Sequence, residues 1–461
     1  MRDSEPRTHN GGLIAMSWWK RLPFFYGWVI VAVTFVCFAV GYATWHSFSI
    51  FYVAILEEFG WSRAATAATF SVFTLVYGFY SPVAGGLIDR FGPRRVLPLG
   101  AIVLGTGLLL TTRLSTLWEF YLLFGVVAAA GLSSFGSVPA FTVLNGWFVR
   151  RRGLAGGLAT AGIGVGTLLL VPFLQSVILN YGWRTAYVVL AIGTMTIIPV
   201  LAVVFQRHKP EELGLRPDGD AEDAGIEAGG VGKAQPEALV VDKEWAAREW
   251  TLRSAARTSR FWLISLARGL EMVALNVMLT HQAAFFVDIG VDRLVVASVV
   301  GTVGIVGSCG KILWGAISDR LGRELAYTMA FTAGTLGIGI ILQTHSGSPP
   351  ILFYGYGVVY GLCYGASAVL TPVLSADVFH GRRYGSILGG IYMVGNLGSA
   401  AGAFLGGYVF DITGSYSLAF AMAIPAMWLA CLLFWLAAPR KVRAVAGRAK
   451  GAARMAVQSG R

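Results

Sequence analysis

Twelve apolar runs, each near the length of a bilayer-spanning helix, follow one another along the chain with only short polar or Gly/Pro-containing loops between most of them. They lie near 27–50, 63–86, 96–113, 117–145, 153–180, 184–206, 261–287, 293–316, 325–343, 350–377, 385–410 and 416–437. A hydrocarbon core of about 30 Å takes roughly 20 residues of helix, and only helices or closed barrels satisfy their backbone groups in lipid. The period-two alternation of a membrane barrel is absent. Composition agrees: 56% of the 461 residues are hydrophobic and 13% charged, where a soluble chain carries about 25% charged residues. A soluble enzyme, a nucleic-acid binder and a disordered chain are set aside, and the fold class expected is an all-α membrane protein with twelve transmembrane helices.

Charge sets the expected orientation. With twelve spans both termini share a side, and thirty of the 36 Lys and Arg fall in that side's loops and tails; only Arg63, Arg113, Arg184 and Arg293 fall opposite. The positive-inside rule then places both termini in the cytoplasm, here of a cell inner membrane. The same asymmetry accounts for the net charge of +12 without a nucleic-acid partner. Residues 1–26 are basic (Arg2, Arg7, Lys20, Arg21), lack a small-residue cleavage site and approach the membrane through Trp18, Trp19, Phe24, Phe25, Tyr26 and Trp28. Cys37, Cys309, Cys363 and Cys431 sit in apolar runs without paired spacing, and read as buried hydrophobes, not as a disulfide frame or a metal site. No cofactor is implied. The histidines are dispersed and GIGVG (162–166) lies inside a span, so no enzyme site stands out.

The chain also repeats itself. A Pro/Gly/acid-rich linker, 207–260, separates a first half (27–206) from a second (261–437), and a basic tail (438–461) follows. FGWSRA (59–64) matches IGVDRL (289–294), GGLIDRFGPRR (85–95) matches GAISDRLGR (315–323), RRRGLAGG (150–157) echoes RRYGSILGG (382–390), and YGWRTAY (181–187) echoes TGSYSLAF (413–420). The offsets stay between 230 and 233. Two six-helix bundles in parallel repeat imply a pseudo-two-fold axis along the membrane normal, with a site between the halves near mid-membrane.

Polar groups inside spans mark candidates for that site, since a charge at a helix centre costs about 2.5–3.5 kcal/mol on insertion scales. Arg268 and Glu271 in the seventh span are three apart and can pair, or serve gating and proton coupling. Lys311 in the eighth lies eight residues before Asp319, roughly 12 Å from the helix end, where it either snorkels or faces a cavity. His46 can change charge near neutral pH and stands at the register of Asn276 in the other half. Tyr42, Tyr360, Tyr364 and Asn396 offer neutral donors. Glycines at spacings of four in the fifth span (Gly153, Gly157) and eleventh (Gly385, Gly389, Gly398, Gly402, Gly406) read as helix-packing faces.

GGLIDRFGPRR after the second span, echoed by GAISDRLGR after the eighth, resembles the signature loop of the major facilitator superfamily. Within it, YGWVIVA, SFSIFY, EEFGWSRA and GKILWGAISDR resemble the monocarboxylate transporter and oxalate–formate exchanger group. The resemblance implies that Asp89, Arg90, Gly92, Arg94 and Arg95, with Asp319, Arg320, Gly322 and Arg323, latch the halves in an outward-open state. It also implies that the cation at Lys311 binds a substrate carboxylate, although the group usually has arginine there and often a polar residue where this chain has Gly307. The expected function is secondary transport of a small organic anion, monocarboxylate-like, by alternating access of a monomer, with proton symport or anion exchange. The rivals are a drug–proton exporter, for which only Glu271 is available as a deep carboxylate, and a non-transporting membrane sensor or scaffold.

Overall fold

The computed structural model describes residues 23–61, 63–219 and 239–445. The basic residues and tryptophans expected to flank the membrane before residue 23, the middle of the linker and most of the basic tail lie outside the described residues. Among the described residues eleven stretches are long and apolar enough to cross a bilayer: Gly27–Phe59, Ala68–Phe91, Pro93–Thr111, Leu117–Trp147, Arg152–Phe205, Ser259–Asp288, Ser298–Leu321, Arg323–Leu342, Pro350–Val378, Tyr384–Thr413 and Ser417–Lys441. Arg152–Phe205 counts twice, because Gly182 (φ 82°, ψ 160°) turns the chain back inside it; a Cβ is disfavoured at that backbone conformation. Twelve spans result, numbered below in chain order, and the molecule is an all-α membrane protein.

Local chemistry explains several span ends. Thr116 and Glu119 form a reciprocal capping box at the start of span 4. Pro93 occupies the first turn of span 3, where its missing N–H costs nothing, and Thr258 accepts from Phe261 N at 3.3 Å to open span 7. Two spans are less regular than the sequence suggests. Span 1 breaks at Ser47 before Phe48–Phe59. Span 4 widens into a π-helix at Tyr121–Ala128, seated against Gly107 of span 3, whose Cβ would lie 2.9 Å from the Leu123 carbonyl.

Each half buries its own core. Ile30, Phe51, Phe73, Phe124 and Tyr187 belong to the first, and Ile264, Met278, Tyr327, Tyr356 and Phe434 to the second. The internal repeat is visible in the backbone: left-handed glycines recur at Gly60 and Gly290, Gly92 and Gly322, and Gly182 and Gly414. The linker is partly ordered. Asp218 accepts from Val149 N and Arg150 N at 3.1 and 2.9 Å, and Trp245 donates to the Val378 carbonyl at 2.8 Å. Cys37, Cys363 and Cys431 are buried as expected, but Cys309 is exposed, on a face of span 8 turned away from the helix partners.

Candidate functional site

The halves meet along two seams, span 2 on span 11 and span 5 on span 8. Glycine makes both possible. A Cβ at Gly85 would strike the Gly385 carbonyl and one at Gly153 the Gly315 carbonyl, and the reverse holds for each partner. Each seam is closed at the linker face by a carboxylate on a helix N-terminus. Asp89 accepts from Gly385 N and Ser386 N at 3.1 and 3.0 Å; Asp319 accepts from Gly153 N and Leu154 N at 3.1 and 3.0 Å. A carboxylate there meets both unpaired N–H groups and the positive end of the helix dipole. Gly85→Val is expected to keep the linker face from closing, seen as a shift to longer distances between spin labels at Arg90 and Arg382, both exposed.

The arginines of the two loops behave differently from the symmetric latch that the resemblance implies. Arg94 donates to the Val203 carbonyl of its own half at 2.9 and 2.6 Å, Arg90 lies over Phe91, and Arg95 and Arg320 are exposed. Gly92 and Gly322 supply the left-handed turn between spans. Only Arg323 joins the closure, pairing with Asp319 at 2.6 Å and Asp377 at 2.8 Å.

Asp377 escapes the sequence reading, as does its second partner. Arg152, in an Arg triplet that topology alone explains, is fully buried and pairs with Asp377 at 2.9 Å. It also donates to the carbonyls of Phe148 and Asn145 and meets His380 Nδ1 at 3.1 Å. Burial, and after it the cations Arg152, Arg443 and Lys209, hold the His380 imidazole well below its usual range. The signal was in the repeat register. At an offset of 232, Asn145 corresponds to Asp377 and Arg152 to Tyr384, and Asn145 Nδ2 indeed donates to the Tyr384 hydroxyl at 3.2 Å. One seam carries a charged pair where the other carries a neutral one.

Away from the linker face the seams part. On span 8 the stripe Gly315, Lys311, Ser308 packs on Gly153, Gly157 and Gly164 of span 5, whereas a Cβ at Gly304 or Gly301, farther along that stripe, would meet nothing within 4 Å. Leu168, one turn beyond Gly164, is 62% exposed. Gly78 of span 2 meets Asn396 of span 11, and farther along Ser71, Leu75 and Ala400 are exposed. The seams are closed at the linker face and pack less tightly toward the opposite one.

Lys311 sits where the halves begin to part. It is 4% exposed, and its Nζ reaches only the Thr160 carbonyl, at 3.4 Å; among the described residues no carboxylate pairs with it. It neither snorkels nor finds a permanent counterion. His46, half-buried at the end of the first helical stretch of span 1, lies within electrostatic reach of it. The Tyr364 ring packs on Gly307, one turn before Lys311. Tyr42 bonds Tyr77 at 2.8 Å and Ser137 at 2.9 Å; Tyr392 of the other half is within electrostatic reach of both tyrosines, and Arg268 lies 5.2 Å above its ring. Arg268 pairs with Glu271 at 2.7 Å and also holds Ser367 Oγ at 2.7 Å, so this pair neutralises itself. Tyr77, Ser137 and Ser367 thus join a group that sequence reasoning had only in part, because hydroxyl residues in spans carry no distinguishing pattern.

Three expected contacts are not placed for a ligand. Tyr360 is wholly buried in the second half's core, stacked on Tyr356, with its hydroxyl lacking a partner; four-residue spacing aligned these tyrosines on one face, and that face turns inward to span 9, against Gly337. Asn276 spends its amide on the Met272 carbonyl and Ser399 Oγ at 2.9 and 3.0 Å. Asn396 donates to the Tyr392 carbonyl at 2.9 Å and packs in the seam.

The geometry has clear counterparts. The family model of the Major Facilitator Superfamily matches residues 33–346 and 261–458. Monocarboxylate transporter 13 of Bos taurus is 28% identical over 403 residues, covering 86% of each chain. An uncharacterized MFS-type transporter, YcxA, of Bacillus subtilis is 24% identical over 411 residues, covering 88% of this chain and 94% of that one. Among solved structures, the transporter FucP in its outward conformation superposes with a TM-score of 0.64 at 14% identity, over 90% of this chain and all of that one. Two packed halves, carboxylate-capped seams and these matches converge: the chain belongs to the Major Facilitator Superfamily and is a multi-pass membrane transporter resembling the monocarboxylate group, not an enzyme.

Proposed function

We propose that the protein moves a small monocarboxylate-like organic anion across a cell inner membrane by alternating access, as a monomer with both termini and the linker in the cytoplasm. One observation carries the reading: Lys311 is a buried ammonium without an acidic partner among the described residues, at the level where the halves part. A desolvated cation of this kind favours an anion arriving from solution. The names of the similar monocarboxylate transporters point the same way. Tyr42, Tyr77 and Ser137 orient the anion, and the seams capped by Asp89 and Asp319 are the cytoplasmic gate.

Proton symport is favoured over exchange by the position of His46. An imidazolium and an ammonium repel each other, so both are tolerated together only with an anion beside them; carboxylate and proton then bind as a pair. The Arg268–Glu271 pair cancels itself, which among the described residues leaves a drug–proton exporter without a free carboxylate deep in a span. The test is uptake into proteoliposomes of labelled lactate, pyruvate, formate, oxalate and aromatic acids, with and without an inward proton gradient. Gradient-stimulated uptake of a monocarboxylate is expected, and it should flatten in His46→Gln. Transport of lipophilic cations with no carboxylate uptake would overturn the proposal.

A further inference from the structure

Beyond the transport site, the linker face holds a guanidinium whose buried Nε has no hydrogen-bond partner among the described residues. After span 12, residues 439–445 fold back onto the linker. Val241 N and Asp242 N both donate to the Val442 carbonyl, at 2.9 and 3.2 Å, and Ala444 N donates to the Leu239 carbonyl at 2.7 Å. This short antiparallel clamp presents Arg443 to the loop between spans 8 and 9. Its Nε is buried without a hydrogen-bond partner. Burial and the neighbouring Arg152 push the Arg443 guanidinium down to about 10, an effect Asp377 offsets only in part.

Arg443 opens onto a cavity of about 400 Å³ whose wall includes Gly322, Arg323, Glu324, Arg440 and Lys441. The one carboxylate there, Glu324, is already engaged by Arg440 N and Nη1 at 3.2 and 3.1 Å. Arg323 is engaged by Asp319 and Asp377. Among the described residues Arg443 and the exposed Lys441 have no ion pair within the cavity, and both face one space.

We infer that this cavity is a binding site for a phosphate group, free in solution or carried on a lipid, recognised by Arg443 and Lys441. A guanidinium fork beside an ammonium matches the geometry and charge of a phosphate. Arg323 in the wall also holds Asp319, and through it the N-terminus of span 5, so the bound anion consolidates the closed linker face.

The test uses the full chain in detergent, titrated with inorganic phosphate against chloride at matched ionic strength, with the unfolding midpoint as readout. A second arm compares nanodiscs of phosphatidylcholine with and without phosphatidylglycerol. A saturable rise in Tm is expected in one arm, which names the source. Its half-saturation should move by about tenfold or more in both Arg443→Gln and Lys441→Gln. The response should persist in Lys311→Ala, which separates it from the transport site. Lys441→Gln, at an exposed side chain, carries the test should Arg443→Gln fold poorly. No saturable response in either arm, or one unchanged in the variants, overturns the inference.

Discussion

Lys311→Ala is expected to cut carboxylate uptake by about 10- to 100-fold, the worth of one hydrogen bond to a charged group, while leaving the fold intact. The ammonium is almost wholly removed from water and reaches only a backbone carbonyl at 3.4 Å, so deleting it also relieves a desolvation cost and should leave Tm equal or higher. That split separates a ligand contact from a structural one. Lys311→Arg should restore much of the uptake, with altered preference among acids, because a planar fork binds a carboxylate through two parallel bonds where an ammonium offers a point charge. Uptake rates and Tm measured on the same preparations check this. Unchanged uptake in the alanine variant would remove Lys311 from the site.

Asp377→Ala is expected to destabilise the linker-closed state by about 3–5 kcal/mol, the usual cost of removing one partner from a buried ion pair. Two arginines depend on this carboxylate: Arg152 of the first half at 2.9 Å and Arg323 of the second at 2.8 Å, all with side chains under 5% exposed. Without it, Arg152 keeps no carboxylate partner while Arg323 retains Asp319 alone at 2.6 Å, and the way to rehydrate the Arg152 guanidinium is to part the halves. The equivalent pair in the other seam, Asn145 with Tyr384, is neutral, so Tyr384→Phe should cost far less, about 1 kcal/mol. Labelling of Thr142→Cys, at the seam beside Gly385, in a Cys309→Ala background reads out the opening. Faster labelling is expected in Asp377→Ala and little change in Tyr384→Phe. Equal labelling in both would show that the charged seam has no special part in closure.

Much of the architecture was written in the residue pattern, for a physical reason. A bilayer demands uninterrupted apolar helices of one length, so twelve spans and the break at Gly182 could be read directly, and duplication left a register that the left-handed glycines repeat in the backbone. Charge within a span is costly enough that Arg268, Glu271 and Lys311 stood out singly. Helical spacing made a pairing of Arg268 with Glu271 possible, since both ride on one helix, but left it beside a gating or coupling role until the structure brought them to 2.7 Å.

What the linear chain left open depended on which helix stands beside which. Asp377 and Arg152 lie 225 residues apart, and apart from the repeat register that aligns Arg152 with Tyr384, nothing local distinguishes that arginine from its two neighbours. Tyr360 and Tyr364 belong to one sequence stripe, yet packing on span 9 buried the first in a core and packing on Gly307 set the second beside Lys311. The sequence by itself determined the helices, the two halves and the residues that lipid would not tolerate without cause. Only the tertiary structure decided which of those had been neutralised by a neighbour and which still lacked a counterion, because electrostatic compensation is a matter of a few ångströms between helices that are distant along the chain.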